Sequence, residues 1–117
     1  MKKKILVVDD DRDICEILQE QLEAKDYLVH AETKSTKALE QIISKDFDLV
    51  ISDYKMPEKT GLDLLKEVRE NKPQIPFVVI TGFPDLFESD STYQGPTIVI
   101  AKPYQFDLLL ETIERMT

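Results

Sequence analysis

A single cysteine, Cys15, has no partner for an intramolecular disulfide and gives no sign of an oxidising compartment. A single histidine, His30, makes a histidine-based metal site or a Ser-His-Asp triad remote. Basic residues are the minority, 15 against 23 acidic ones, and the formal net charge is −8. Such a surface repels phosphate backbones and anionic lipid, so neither nucleic acid nor membrane is an expected partner of this domain. Long apolar runs are also missing. Lys2-Lys3-Lys4 resembles the start of a signal peptide, but the run Ile5–Val8 stops after four residues at three aspartates. That is too short for an h-region or a membrane span. No linker, low-complexity tract or repeat divides the chain. The remaining composition, 42% hydrophobic and 32% charged over 117 residues, suits one acidic, cytoplasmic domain spanning residues 1–117.

Five short apolar runs recur at regular intervals: Ile5–Val8, Tyr27–Ala31, Phe47–Ile51, Phe77–Ile80 and Thr97–Ala101. Most are continuous and β-branched, which predicts strands buried on both faces of a parallel sheet. The second carries polar residues and reads as an edge strand. Between the runs lie helical stripes. Ile14, Ile17, Leu18 and Leu22 follow Asp11 as N-cap, and Ala38, Leu39, Ile42 and Ile43 follow Ser35 or Thr36. Leu62, Leu65 and Val68 follow a capping box of Thr60 and Asp63, and Phe106, Leu109, Leu110 and Ile113 make the last stripe. Asp85–Gln94 reads as a short or irregular helix, because Ser89-Asp90-Ser91-Thr92 has low helix propensity and Gly95-Pro96 breaks it. Strand–helix alternation of this kind predicts a doubly wound α/β fold, for which 2-1-3-4-5 is a common strand order.

The strands of such a sheet all point the same way, so the residues just past each carboxyl end gather along one edge, where open α/β folds bind ligands. Asp9-Asp10-Asp11 come after the first run, Asp53 after the third, Thr81 after the fourth, and Lys102-Pro103 after the fifth. Singly, these are ordinary turn, cap and surface residues. Together they define a site. Converging carboxylates repel one another unless they share a cation, and a hard ion such as Mg²⁺ takes oxygen ligands. Lys102 and the Thr81 hydroxyl complement a phosphoryl group, and a metal-held Asp53 is the natural nucleophile.

Val7-Val8-Asp9-Asp10, Asp53-Tyr54-Lys55-Met56-Pro57 with Gly61, Thr81-Gly82 and Lys102-Pro103 resemble the receiver domain of two-component response regulators. The resemblance covers the whole chain. It implies a flavodoxin-like (βα)5 fold and a signalling switch that assists only its own phosphorylation and dephosphorylation. Asp53 would accept a phosphoryl group from a sensor histidine kinase or phosphotransfer protein. Asp10 and Asp53 would bind Mg²⁺ directly, Asp9 through water, and the Lys55 backbone carbonyl would complete the protein ligands. Thr81 and Lys102 would contact phosphoryl oxygens, and Lys102–Pro103 would be cis. The downstream partner is an unknown protein, with a homodimer through the last strand and helix as one possibility by analogy.

Three departures from the family pattern stand out. Val99 occupies a position that is usually aromatic, with Tyr93 nearby in sequence; the segment at Asp85–Pro96 is weakly helical; and Lys55 and Phe83 stand at the rim, where an apolar Phe83 should hinder water. Two alternatives keep the same fold: a phosphorylation-independent interaction or dimerisation module, and the first domain of a longer regulator with its output beyond residue 117. A small-molecule phosphohydrolase fits less well, because there is no room for a substrate cap domain.

Overall fold

The computed structural model describes residues 2–85 and 95–117. Strand and helix alternate as β1 (Lys4–Val8), α1 (Arg12–Glu23), β2 (Leu28–Glu32), α2 (Ser35–Ser44), β3 (Leu49–Asp53), α3 (Gly61–Asn71), β4 (Phe77–Thr81), β5 (Thr97–Ala101) and α4 (Phe106–Met116). All strand pairs are parallel and the sheet order is β2-β1-β3-β4-β5, the doubly wound arrangement expected. The irregular helix expected over Asp85–Gln94, and Tyr93 with it, lies outside the described residues.

Alternate residues of the apolar runs serve two cores. Leu6, Val8, Val50, Phe77 and Val79 face α2 and α3, where Ala38, Ile42, Leu64, Leu65 and Val68 meet them. Ile5, Val7, Leu49, Ile51, Val78 and Ile80 face α1 and α4, against Leu18, Leu22, Leu109 and Ile113. A strand that must satisfy both layers has no polar face to show, which is why its sequence does not alternate.

Several local expectations shift. The third strand runs Leu49–Asp53 rather than Phe47–Ile51. Phe47 is apolar because its ring fills the α2–α3 core and meets the edge of His30, with ring centroids 5.6 Å apart. The fifth strand is an edge, and only Ile100 along it is buried. Ile17 lies off the buried stripe of α1, which is Cys15, Leu18 and Leu22. It is exposed instead, lining an apolar cavity of about 620 Å³ with Ile14, Pro103 and Tyr104.

The caps show why the helices begin where they do. Asp11 accepts from the backbone N–H groups of Asp13 and Ile14, and Thr60 with Asp63 forms the reciprocal capping box. Neither Ser35 nor Thr36 caps α2. Lys34 is the N-cap there, with no side-chain cap, and the Glu32 carboxylate accepts from the N–H groups of Thr33 and Lys34 in the turn before the helix. The same carboxylate takes the Gln41 amide at 2.9 Å. The end of β2 is thereby tied to the next helix.

Candidate functional site

Backbone hydrogen bonds continue past the strand ends and hold the candidate site residues in register. Asp9 N–H donates to Glu32 O (3.2 Å), Tyr54 N–H to Ile80 O (2.9 Å) and Lys102 N–H to Thr81 O (2.8 Å). Asp53 and Thr81 are the last residues of β3 and β4 rather than the first loop residues, so the sheet itself fixes their backbones. Gly61 at the start of α3 donates its N–H to Tyr54 O at 2.7 Å. A Cβ added there would stand 2.5 Å from Asp53 O, so the close approach of α3 to the end of β3 requires glycine.

The carboxylates of Asp9, Asp10 and Asp53 converge, with one oxygen from each lying within 4.8 Å of the others. Asp9 and Asp53 are buried and Asp10 is exposed. Lys102 Nζ lies 2.6 Å from Asp53 Oδ1. Among the described residues Asp9 has no such direct partner; its Oδ1 accepts from Asp11 N–H at 3.0 Å. Burial foremost, with help from Asp53 and Asp10, pushes its pKa up from 3.8 to about 6, against the opposing pull of that hydrogen bond and of Lys102. Three oxygen donors with a surplus of negative charge match a hard divalent cation, and no nitrogen or sulfur ligand competes within the cluster.

Thr81 Oγ1 accepts from Phe83 N–H at 2.9 Å, which fixes the hydroxyl oxygen while leaving its hydrogen free to donate. A cavity of about 220 Å³ opens beside Asp53, lined by Tyr54, Lys55, Thr81, Gly82, Phe83 and Lys102. Lys102–Pro103 is cis. Val99 packs on the α2–α3 core as a partly buried side chain.

Two neighbours of the site were not legible as such in the sequence. Tyr104 is half-buried, and burial followed by the charges of Asp9 and Asp53 raises its pKa. Its place directly after Lys102-Pro103 was the available signal. Cys15 is buried, and its thiol donates to Asp9 O at 3.3 Å.

The chain matches the family model described as the response regulator receiver domain over residues 5–114, and it belongs to that family. Among curated relatives, the transcriptional regulatory protein ZraR of Salmonella typhimurium is 38% identical over 115 residues, covering 97% of this chain and 26% of ZraR. The DNA-binding transcriptional regulator NtrC of Escherichia coli K12 is 32% identical over 112 residues, covering 95% of this chain and 24% of NtrC. The chain thus spans about a quarter of the length of these relatives. Among solved structures, the response regulator TrrA of Thermotoga maritima, in complex with Mg²⁺ and BeF, superposes with a TM-score of 0.87 at 30% identity, covering 98% of this chain and 99% of TrrA. Chemotaxis response regulator CheY4 of Vibrio cholerae gives 0.87 at 28% identity over the full length of both chains. Among the described residues no helix is long and apolar enough to cross a membrane.

Proposed function

We propose that this receiver domain is a cytoplasmic phosphoacceptor switch in which Asp53 takes a phosphoryl group from a phosphohistidine of a sensor histidine kinase or phosphotransfer protein. The observation that carries this reading is the convergence of Asp9, Asp10 and Asp53 with Lys102 held 2.6 Å from the Asp53 carboxylate. An Asp53 oxygen attacks phosphorus as the P–N bond of the donor breaks, leaving an acyl phosphate. The Lys102 ammonium moves from the carboxylate to a phosphoryl oxygen, and the Thr81 hydroxyl donates to another. Asp10, Asp53 and the Lys55 carbonyl would hold Mg²⁺, with Asp9 reaching it through water, and the bound ion would neutralise charge on the carboxylates and the phosphoryl oxygens. The new charge at Asp53 then biases the loops beyond β3 and β4 and alters affinity for a downstream protein.

Incubation with Mg²⁺ and acetyl phosphate or phosphoramidate, followed by intact mass, is expected to show one added phosphoryl group. Asp53→Asn and chelation should each abolish it. A folded, Mg²⁺-binding protein that gains no mass from either donor would instead support the phosphorylation-independent module.

Phe83 governs how long the phosphoryl group stays. Its ring is 63% exposed at the rim of the acceptor cavity, where water must approach the acyl phosphate. Phe83→Glu is expected to shorten the phosphorylated half-life several-fold, followed by loss of the added mass after the donor is removed. An unchanged half-life would show that the ring does not screen water.

A further inference from the structure

We infer that the cavity between α1 and the turn after β5 is a binding site for a small amphipathic amine, with its ammonium at Asp9 and its hydrocarbon body against α1. Such a site is independent of the acceptor role of Asp53. The cavity holds about 620 Å³, the size of a small-ligand site rather than of a packing gap. Hydrocarbon makes most of its wall: Ile14, Ile17 and Leu18 from α1, Ile80 from β4, and Pro103 with the Tyr104 ring from the turn. Ile17 is 56% exposed there, next to the buried Leu18. A folded domain leaves a contiguous apolar surface open chiefly where something binds.

Three polar residues interrupt this wall, and they set the charge of the occupant. Lys102 has its ammonium 2.6 Å from Asp53 Oδ1, so that cation is engaged and the residue offers the cavity its stem. Gln21 is neutral. Asp9 is the one acid among the described lining residues, with its Oδ1 bonded to Asp11 N–H and no cation among the described residues in direct contact. A carboxylate or phosphate head would meet like charge at Asp9, and a neutral ligand would leave that charge uncompensated in apolar surroundings. A primary ammonium brings three donors and the opposite charge, and the formal net charge of −8 concentrates cations around the domain. The Tyr104 ring suits a flat aromatic body. Lys102 also lines the cavity beside Asp53, so an occupant here packs against the residue that holds the candidate acceptor.

The test is titration of the full chain, in chelator, with phenethylamine, 2-phenylethanol and 3-phenylpropanoate, three probes that share a ring and differ in charge. Calorimetry gives the affinity and amide NMR shifts give the place. Phenethylamine is expected to bind with a Kd of about a millimolar or tighter, at least about tenfold more tightly than the alcohol, with the propanoate weakest. Shifts should centre on Ile14, Ile17, Gln21 and Tyr104 rather than on Asp10, Lys55 and Phe83. Ile17→Asn, at an exposed position that leaves the core intact, should weaken the amine about three- to tenfold. Asp9→Asn, with its fold checked by the same spectra, should bring the amine down to the level of the alcohol. Equal binding of the three probes, or none, would overturn the inference. So would shifts confined to Asp10 and Lys55, which would make the amine a counterion of the carboxylate cluster. A dimer in sedimentation that Ile17→Asn dissociates would put a second copy of the chain on this face and overturn it equally. No phosphoryl donor is present in these measurements, so each of those results leaves the acceptor role of Asp53 intact.

Discussion

Asp9→Asn is expected to stabilise the metal-free protein at neutral pH by about 2–3 kcal/mol while removing most of the stabilisation that Mg²⁺ confers. Asp9 is 6% exposed, and its carboxylate is charged at neutral pH at a cost set first by burial and then by Asp53 and Asp10. A folded-state pKa of about 6 against an ordinary 3.8 means that the folded protein binds this proton more tightly than the unfolded chain does. The stabilisation from that proton is fully present below 3.8 and is lost as pH rises through about 6. Above that window the metal-free wild type carries the whole penalty. Asparagine is neutral throughout, and its amide oxygen can still accept from Asp11 N–H. The advantage of Asp9→Asn should therefore grow between those two pH values and level off above them. Mg²⁺ reverses the order, because a ligand that binds only the folded state stabilises it by mass action, and the variant has lost one of the acidic groups at that site. Urea unfolding in chelator across the pH range, repeated with Mg²⁺, reads all three effects. Equal stabilities in chelator at neutral pH would show that Asp9 is not held against its own charge.

The legible and illegible parts of the sequence divide along a physical line. Fold class and the edge that carries Asp9, Asp10, Asp53, Thr81 and Lys102 could be read because each signal is local: an apolar run, then a polar residue at its end; the strand order came with the resemblance to receiver domains. The chemistry of the edge came from residue types alone. Features that could not be read depend on which side of an element a residue faces, or on partners distant in sequence. Phe47 has the apolarity of a strand residue but spends it on the α2–α3 core, which displaced the third strand. Ile17 has the right spacing for the α1 stripe yet lines an open cavity, because α1 turns Cys15 inward instead. The role of Glu32, holding the turn from β2 into α2 and bonding Gln41 on that helix, depends on partners that only the fold brings near. The conformation at Phe83 was likewise invisible. Its identity could be seen, but the hydrogen bond that seats it on Thr81 could not.

Arg69 is the furthest from being readable, and its removal is expected to cost about 2–4 kcal/mol, a large share of a typical domain's stability. In sequence it is one more charge in the last turn of α3, where a cation suits the helix dipole. In the structure it ties together the opposite edge of the sheet from the acidic site. Its Nη1 donates to Ile75 O at 2.6 Å and to Lys72 O at 3.3 Å, while Nη2 donates to Pro96 O at 2.9 Å and Thr97 Oγ1 at 3.0 Å. One planar group thus closes α3 and positions the chain entering β4 and β5. Gly95 allows it, with φ of +83° and no room for a side chain, since a Cβ would stand 2.3 Å from Pro73 O and 2.8 Å from Arg69 Nε. Arg69→Met would fill the space of the stem but leave those carbonyls without their donor. Arg69→Lys should recover less than half of the loss, because one ammonium cannot span acceptors that a rigid fork reaches together. The urea midpoint should fall with an unchanged slope, the sign of lost stability without a change in the surface exposed on unfolding. Phosphorylation of the folded variants by phosphoramidate should proceed at the wild-type rate, because Asp53 lies at the other end of its strand. A slowed rate in folded protein would mean that the two edges are coupled, and a midpoint unmoved in Arg69→Met would mean that water replaces the guanidinium at no cost.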